Sequence, residues 1–459
     1  MKYFCLTLII FLILGQSALA VNDPSTNLNN KVGIGTLSPE SEVEEISSMV
    51  NAGGDWGWVV ILIKKSEMNL DRWQGVFHLL AKYHLIPIVR IATEFDPHGY
   101  WQRPTSEDAK SWANFLSSLY WPTKDRYVQV YNEVNQAAEW GGKADAADYA
   151  KELEKTINAL KEKNNDFFIL PSPLDLSLDS GEDSLDSSIF YQTMESTVPS
   201  IFEKIDGWAS HSYPNPSFAA SPLKSGRLSI RGWEWELSQI KPYLNGKNLP
   251  VFITETGWQR KTAETDGLDE AKIAQYYKTA FEEVWKDPRV TAVSPFIFAY
   301  PESLYYPFSF KTNGEDPEKK YFDYFYTIRD LPKVKGEPDR EDLAANIQTD
   351  LPGIIIKNHT KSDTVTFKNT GNYIWNTKDS LKLNLTAPNI DIGEIKWDKD
   401  EIYPGESVSA QFKLKSNTVG ILPLTIGVYD SEQLLIQETI TTSSETYFSL
   451  ITKGIKNFF

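Results

Sequence analysis

The sequence predicts an α/β chain: a (β/α)8 TIM barrel followed by a small all-β sandwich. Three observations carry this. Short, continuous apolar runs alternate with amphipathic helical patterns as far as residue 332, as buried parallel strands covered by helices do. There are eight such runs, the number a closed barrel requires. Beyond residue 350 the texture changes to short alternating strands punctuated by Gly, Pro, Asn and Asp, the pattern of a β-sandwich.

Taken in order, residues 1–20 read "MKYFCLTLIIFLILGQSALA". One Lys, an apolar run and a small-x-small end are expected of a cleaved signal peptide, and the run is short for a membrane span. The expected location is therefore secreted or in the cell envelope, with no membrane span after cleavage; an uncleaved anchor is the alternative. The only cysteine is Cys5, so the mature chain has no disulfide, thiol nucleophile or Cys-based metal site. Five His and no HExxH pattern argue against a zinc enzyme, and no cofactor is expected. A net charge of −16 argues against nucleic acid as a partner. A monomer is expected.

The barrel is expected at 28–332. Its runs are "KVGIGT" (31–36), "WGWVVILIK" (56–64), "LIPIVRIA" (85–92), "YVQVYNE" (127–133), "DFFILPSP" (166–173), "IDGWASHSY" (205–213), "LPVFITETGW" (249–258) and "VTAVSPFIFAY" (290–300). Between them, Tyr149, Leu153, Ile157 and Leu160 line one helical face, and Ile273, Tyr276, Tyr277, Ala280 and Val284 another. A doubly wound open sheet is the runner-up, but "GIGTLSPE" lacks the glycine spacing of a phosphate-binding turn. A charged linker without strand signal is expected at 333–350, a sandwich at 351–442, and a weakly amphipathic tail at 443–459 that reads equally as a docking helix or a surface contact. The acidic loop "DLSLDSGEDSLDSS" (175–188) has no EF-hand spacing and reads as solvated.

Glu133 ends the fourth run and Glu255 the seventh. Side chains at the C-terminal ends of barrel strands converge on one mouth, and two carboxylates at one mouth can protonate a glycosidic oxygen and attack or hydrate the anomeric carbon. Each residue also has a plainer reading. Glu255 in "TET" could cap the next helix, and His211 could be a satisfied core histidine. Trp101, Trp140, Trp258, Tyr300 and Tyr305 fall in loops at the mouth end, where each ring is either packing or a sugar platform. Trp56 and Trp58 begin the second run and read as core.

"YNEVN", "HSY" and "ITETGW", in this order and spacing, resemble the retaining glycoside hydrolases of clan A, similar to families 5, 17, 39 and 53. The resemblance covers the whole barrel and implies a carbohydrate substrate. It implies Glu133 as acid/base, Glu255 as nucleophile, Asn132 on the sugar 2-hydroxyl, Tyr213 donating to Glu255, and His211 lining the mouth. Two departures stand out. The early-strand Arg of the clan has Lys64 and Lys65 in its place, leaving Arg90 on the third strand as the substitute. The Trp that closes the eighth strand is replaced by Phe298 or Tyr300. "VTFKNTGNYIWN" and the later "PG" turn resemble appended Ig-like domains. The alternative function is a non-catalytic glycan-binding or cell-surface protein on the same scaffold.

Overall fold

The computed structural model describes residues 23–450, apart from 264, 303, 315–317, 341–344 and 349–353. The expected signal peptide and residues 451–459 of the tail lie outside the described residues.

Eight parallel strands form the first unit: β1 (Gly33–Thr36), β2 (Gly57–Lys64), β3 (Leu85–Ala92), β4 (Arg126–Val130), β5 (Phe167–Leu170), β6 (Trp208–His211), β7 (Val251–Glu255) and β8 (Val290–Val293). They make a five-stranded sheet in the order β1 to β5 and a three-stranded sheet in the order β6 to β8. The two sheets meet at both edges. Val32 bridges Val293 on one side, and Asp175 bridges His211 on the other. Between β5 and β6, the N–H groups of Asp206 and Gly207 both donate to the Ile169 carbonyl, at 3.0 and 3.3 Å. The result is barrel-like.

Along the strands the residues alternate between two cores, because successive side chains point to opposite faces. Trp58, Val60, Ile86, Ile88, Tyr127, Phe168, Leu170, Ala209, Phe252 and Ala292 fill the inside. Aromatic rings do most of the filling: Trp58 meets Tyr127 and Phe252 edge-on at 5.0 and 5.5 Å. Gly207 is required by this crowding, since a Cβ there would sit 2.7 Å from the Phe168 ring. The alternate residues, such as Val59, Ile61, Val89, Val128, Ile169 and Ile253, pack outward.

The helices are α1 (Pro39–Val50), α2 (Leu70–Lys82), α3 (Asp108–Ser118), α4 (Ala146–Lys163), α5 (Ser187–Thr197), α6 (Ile201–Lys204), α7 (Gly232–Ile240), α8 (Glu270–Thr279) and α9 (Asp323–Asp330). Tyr149, Leu153, Ile157 and Leu160 are all buried on α4, as the spacing predicts. On α7, Glu236 is fully buried and accepts from Tyr191 Oη at 2.7 Å and from Ser210 Oγ. Burial pushes its carboxyl up to about 7. The folded state therefore holds a proton that the unfolded chain releases near pH 4.5. The contribution to stability is full below that pH and is lost as pH rises toward 7. We expect the melting temperature of Glu236→Gln to fall less between pH 5 and pH 7 than that of the parent. Parallel curves in a thermal-shift series would refute this.

The second unit is β-rich, with β9 (Ala345–Gln348), β10 (Ile354–Ile356), β11 (Thr360–Asn369), β12 (Trp375–Asn376), β13 (Leu381–Thr386), β14 (Ile390–Ile392), β15 (Lys396–Trp397), β16 (Glu401–Ile402), β17 (Ser407–Ser416), β18 (Gly420–Asp430) and β19 (Gln433–Glu445). Two sheets, β10-β19-β18-β13 and β14-β17-β11-β9, enclose Val365, Phe367, Trp375, Val408, Phe412, Ile426 and Val428. Two boundaries need correction. Residues 345–348, expected in the linker, pair with β11. Residues 443–445, expected in the tail, end β19 and pair with β18 and β10. Residues 443–445 prolong the β18–β19 hairpin to meet β10, and 345–348 reach past β10 to β11, so local composition does not show either pairing.

The turns that mark this unit also dock it. Asn372 Nδ2 donates to the Trp121 carbonyl at 2.8 Å, and His78 Nε2 lies 2.9 Å from the Pro404 carbonyl. Gly405, at φ +86°, lies so close to Tyr120 that a Cβ would overlap its ring. Arg340 sits between the rings of Trp56 and Tyr373. Trp56 and Trp121 precede β2 and β4, so this contact lies at the end of the barrel-like unit opposite Glu133 and Glu255.

Candidate active site

Period two along the strands builds the floor of the site. Arg90 follows Ile86 and Ile88 on the inner face of β3, and His211 follows Ala209 on β6. They form the next layer above the aromatic filling. A register shift between Ser210 and His211 brings His211 opposite Glu255. Thr256 Oγ1 donates to the Ser212 carbonyl at 2.7 Å, which ties the two strand ends together.

Glu133 leaves β4 through a left-handed turn, with φ +67° at Tyr131 and +38° at Glu133. Non-glycine residues adopt this region at a cost, and such strain concentrates at functional sites. The turn is held by Glu133 N–H donating to the Pro173 carbonyl and by Gln136 N–H donating back to Glu133, both at 2.9 Å.

The two carboxylates converge. Glu133 Oε1 lies 2.8 Å from His211 Nδ1, and Glu255 Oε2 lies 3.7 Å from the same nitrogen. Those two carboxylate oxygens are thus at most about 6.5 Å apart, the sum of the two contacts. Arg90 Nη1 donates to Glu255 Oε1 at 3.1 Å, and Tyr213 Oη to Glu255 Oε2 at 3.1 Å. Each Glu255 oxygen therefore has its own donor, an arrangement that orients the carboxylate.

Glu133 has the opposite setting. Burial, then the nearby Asp175 charge, pushes it up to about 8, against the pull of Arg90. Burial pushes His211 down to about 4, so the imidazole is neutral at pH 7 and the contact to Glu133 is a hydrogen bond, not an ion pair. Two carboxyls in one cleft with opposed settings can divide acid and nucleophile roles.

Asn132 is buried beside Glu133. Arg90, Asn132, Glu133, His211, Tyr213 and Glu255 are thus brought together. The aromatic expectations divide. Trp101 is half-buried, edge-on to the exposed Phe95 at 5.6 Å. Tyr300 is half-buried and meets Tyr305 at 5.2 Å; Tyr305 is 40% exposed. Trp140 and Trp258 are corrected. Trp140 is 1% exposed, packed edge-on to Tyr131 and Tyr149, with its N–H on Asp148. Trp258 is 2% exposed, packed against Tyr277, with its N–H on the Ala220 carbonyl. Neither ring has a face left for a sugar. Phe298 is 0% exposed, so it cannot stand in for the missing Trp; Phe296, edge-on to Tyr305 at 5.4 Å, is the ring of that segment at the mouth.

Sequence reasoning missed Gln136, Glu139 and Asp175. Gln136 Nε2 donates to Glu133 Oε2 at 2.8 Å. Glu139 lies close enough to Glu133, Glu255 and Arg90 to feel their charges. Steps of three from Glu133 to Gln136 to Glu139 were the available signal, since a 3-10 turn brings such residues to one side. Among the described residues, no group of three or more His, Cys, Asp or Glu gathers as a metal site, and no helix is long and apolar enough to cross a membrane.

No protein-family model matches the chain, and no curated protein matches it. Several solved structures are similar. One is a family 39 glycoside hydrolase from Bacteroides cellulosilyticus WH2, with TM-score 0.45 and 12% identity, covering 86% of this chain and 83% of that one. Another is a β-mannanase from Streptomyces thermolilacinus, with TM-score 0.42 and 13% identity, covering 68% and 95%. A third is an endo-β-1,3-glucanase of family GH128 from Amycolatopsis mediterranei, with TM-score 0.38 and 9% identity, covering 66% and 99%.

Proposed function

We propose that the chain is a retaining glycoside hydrolase on a (β/α)8 barrel, cleaving O-glycosidic bonds in a β-linked oligo- or polysaccharide by double displacement. The observation that carries the reading is the meeting of Glu133 and Glu255 at His211 Nδ1. A separation of at most about 6.5 Å between these two oxygens accommodates the roughly 5–5.5 Å of a retaining pair.

In this mechanism Glu255, held by Arg90 and Tyr213, attacks the anomeric carbon. Glu133 still holds its proton at neutral pH and gives it to the leaving oxygen. Esterification removes the charge of Glu255, the Glu133 carboxyl becomes more acidic, and it then takes a proton from the attacking water. In this reading Asn132, buried beside Glu133, meets the 2-hydroxyl, where hydrogen bonding strengthens in the transition state. Trp101, Phe296, Tyr300 and Tyr305 supply ring faces for C–H stacking. The Ig-like sandwich serves as a spacer, a role supported by its docking at the end away from the mouth. The leader-like residues 1–20 support action outside the cytoplasm.

The test is intact-protein mass spectrometry after exposure to activated 2-fluoro-glycosides of gluco, galacto, xylo and manno configuration. The expected result is one added glycosyl mass, mapped by peptide digestion to Glu255. Absence of label with all four reagents would count against the retaining mechanism.

A further inference from the structure

The Glu133 carboxyl is held from two sides. Oε1 lies 2.8 Å from His211 Nδ1, on β6. Oε2 accepts from Gln136 Nε2, also at 2.8 Å. Each oxygen thus has its own neighbour, which fixes the plane of the carboxyl as well as its position.

Gln136 is itself built in. Its N–H donates to the Glu133 carbonyl at 2.9 Å, and its backbone bridges Ser184 in the loop after β5. On either side of it the same loop is laced to the turn. Asn135, 0% exposed, donates through Nδ2 to the carbonyls of Asp175 and Leu185 at 2.9 and 3.2 Å, and its Oδ1 accepts from Asp175 N–H at 3.0 Å. Leu185 N–H donates to the Asn135 carbonyl at 3.0 Å, and Ala137 N–H to the Asp183 carbonyl at 2.7 Å. With Glu133 N–H on the Pro173 carbonyl, residues 133–137 are clamped to 173–185. A side chain anchored in this way loses little freedom on meeting its partner.

An amide nitrogen donates and does not accept, so Gln136 Nε2 can hold Glu133 without taking its proton. A donor on a carboxyl oxygen favours the charged form. Glu133 becomes charged in the first displacement and starts the second as a carboxylate base, while burial opposes that charge. Gln136 and Arg90 pull against burial and Asp175, and the balance lies at about 8. The other titratable groups near Glu133 are Glu139 of the same turn, His211 on β6, Tyr213 beyond it, Glu255 on β7 and Tyr305. Arg260, beyond β7, is stacked on the rings of Tyr306 and Phe322.

Building on the glycosidase reading, we propose that Gln136 is a positioning residue for the acid/base, which holds the Glu133 carboxyl through both displacements without exchanging a proton with it.

The experiment compares the parent with Gln136→Met, which keeps the length of the side chain and removes the donor, and Gln136→Lys, which puts a cation there. The substrates are dinitrophenyl and methyl β-glycosides of the configuration that labels Glu255. The first displacement of a dinitrophenyl glycoside needs no acid, and the second needs Glu133 as base. In Gln136→Met, kcat on this substrate should therefore fall about tenfold, with KM falling alongside and kcat/KM much less affected. On the methyl glycoside kcat/KM should fall as well. Its alkaline limb should move up by about one pH unit in Gln136→Met, and below the parental position in Gln136→Lys. A merely structural role would lower kcat and kcat/KM together and would not move the limb in opposite directions. Melting temperatures are measured beside the kinetics, and the sign of the Gln136→Lys shift decides alone if Gln136→Met does not fold. A limb unmoved in the folded variants, or kcat and kcat/KM falling equally on the dinitrophenyl glycoside, would overturn the proposal while 2-fluoro labelling of Glu255 still stood. A parent that gains no label and turns over no glycoside would remove the glycosidase reading, and this proposal with it.

Discussion

Glu255→Ala is expected to lower kcat on every glycoside by about four to six orders of magnitude, because the covalent step has no second nucleophile to fall back on. The loss should not depend on the leaving group, since bond formation at the anomeric carbon is what has been removed. Azide should restore turnover by direct displacement from the vacated face, and the product from a β-glycoside should be the α-glycosyl azide. The change also leaves Arg90 without its carboxylate partner, 3.1 Å away in the parent, in a partly buried setting where an unpaired charge is costly. The melting temperature must therefore be measured beside the kinetics. A folded Glu255→Ala protein within about tenfold of parental kcat would sink the nucleophile assignment.

Glu133→Ala should behave differently, and the contrast separates the two carboxylates. With poor leaving groups the loss should be about 10²–10⁴-fold, the usual range for general acid catalysis. With dinitrophenyl glycosides, which need no protonation, the glycosylation step should be nearly unchanged and the glycosyl-enzyme should accumulate. Azide should then speed turnover and give the β-glycosyl azide, the opposite anomer to that from Glu255→Ala. The parent should show kcat/KM falling as pH rises past about 8, where burial and Asp175 place the Glu133 ionisation. That limb should vanish in the variant. Equal losses on good and poor leaving groups would count against the acid/base role.

Residues at strand ends were the legible part of this site. Glu133 and Glu255 follow continuous apolar runs, so their place at one mouth follows from strand order. Arg90 and His211 could be assigned to the inner face by counting in twos from Ile88 and Ala209. Trp140 and Trp258 sit in loops, where no such period exists. Whether a loop ring is open or buried depends on which helix it meets, here α4 through Tyr149 and α8 through Tyr277. Gln136 was hidden for a related reason. Its place beside Glu133 needs a turn conformation and a loop from elsewhere in the chain.

The sequence by itself determined the eight-strand α/β order, the β-rich second unit and the carboxylates that end β4 and β7, because hydrophobic periodicity and strand-end position are local properties of a chain. Only the tertiary structure decided that the strand ring closes through Asp175–His211 and Val32–Val293, and that Arg90 reaches Glu255. It also decided that Phe296, not Phe298, meets the mouth, and that the loop after β5 is laced to the Glu133 turn. Each of these depends on contacts between residues far apart in sequence, formed when the backbones close up on one another, and no local pattern encodes them.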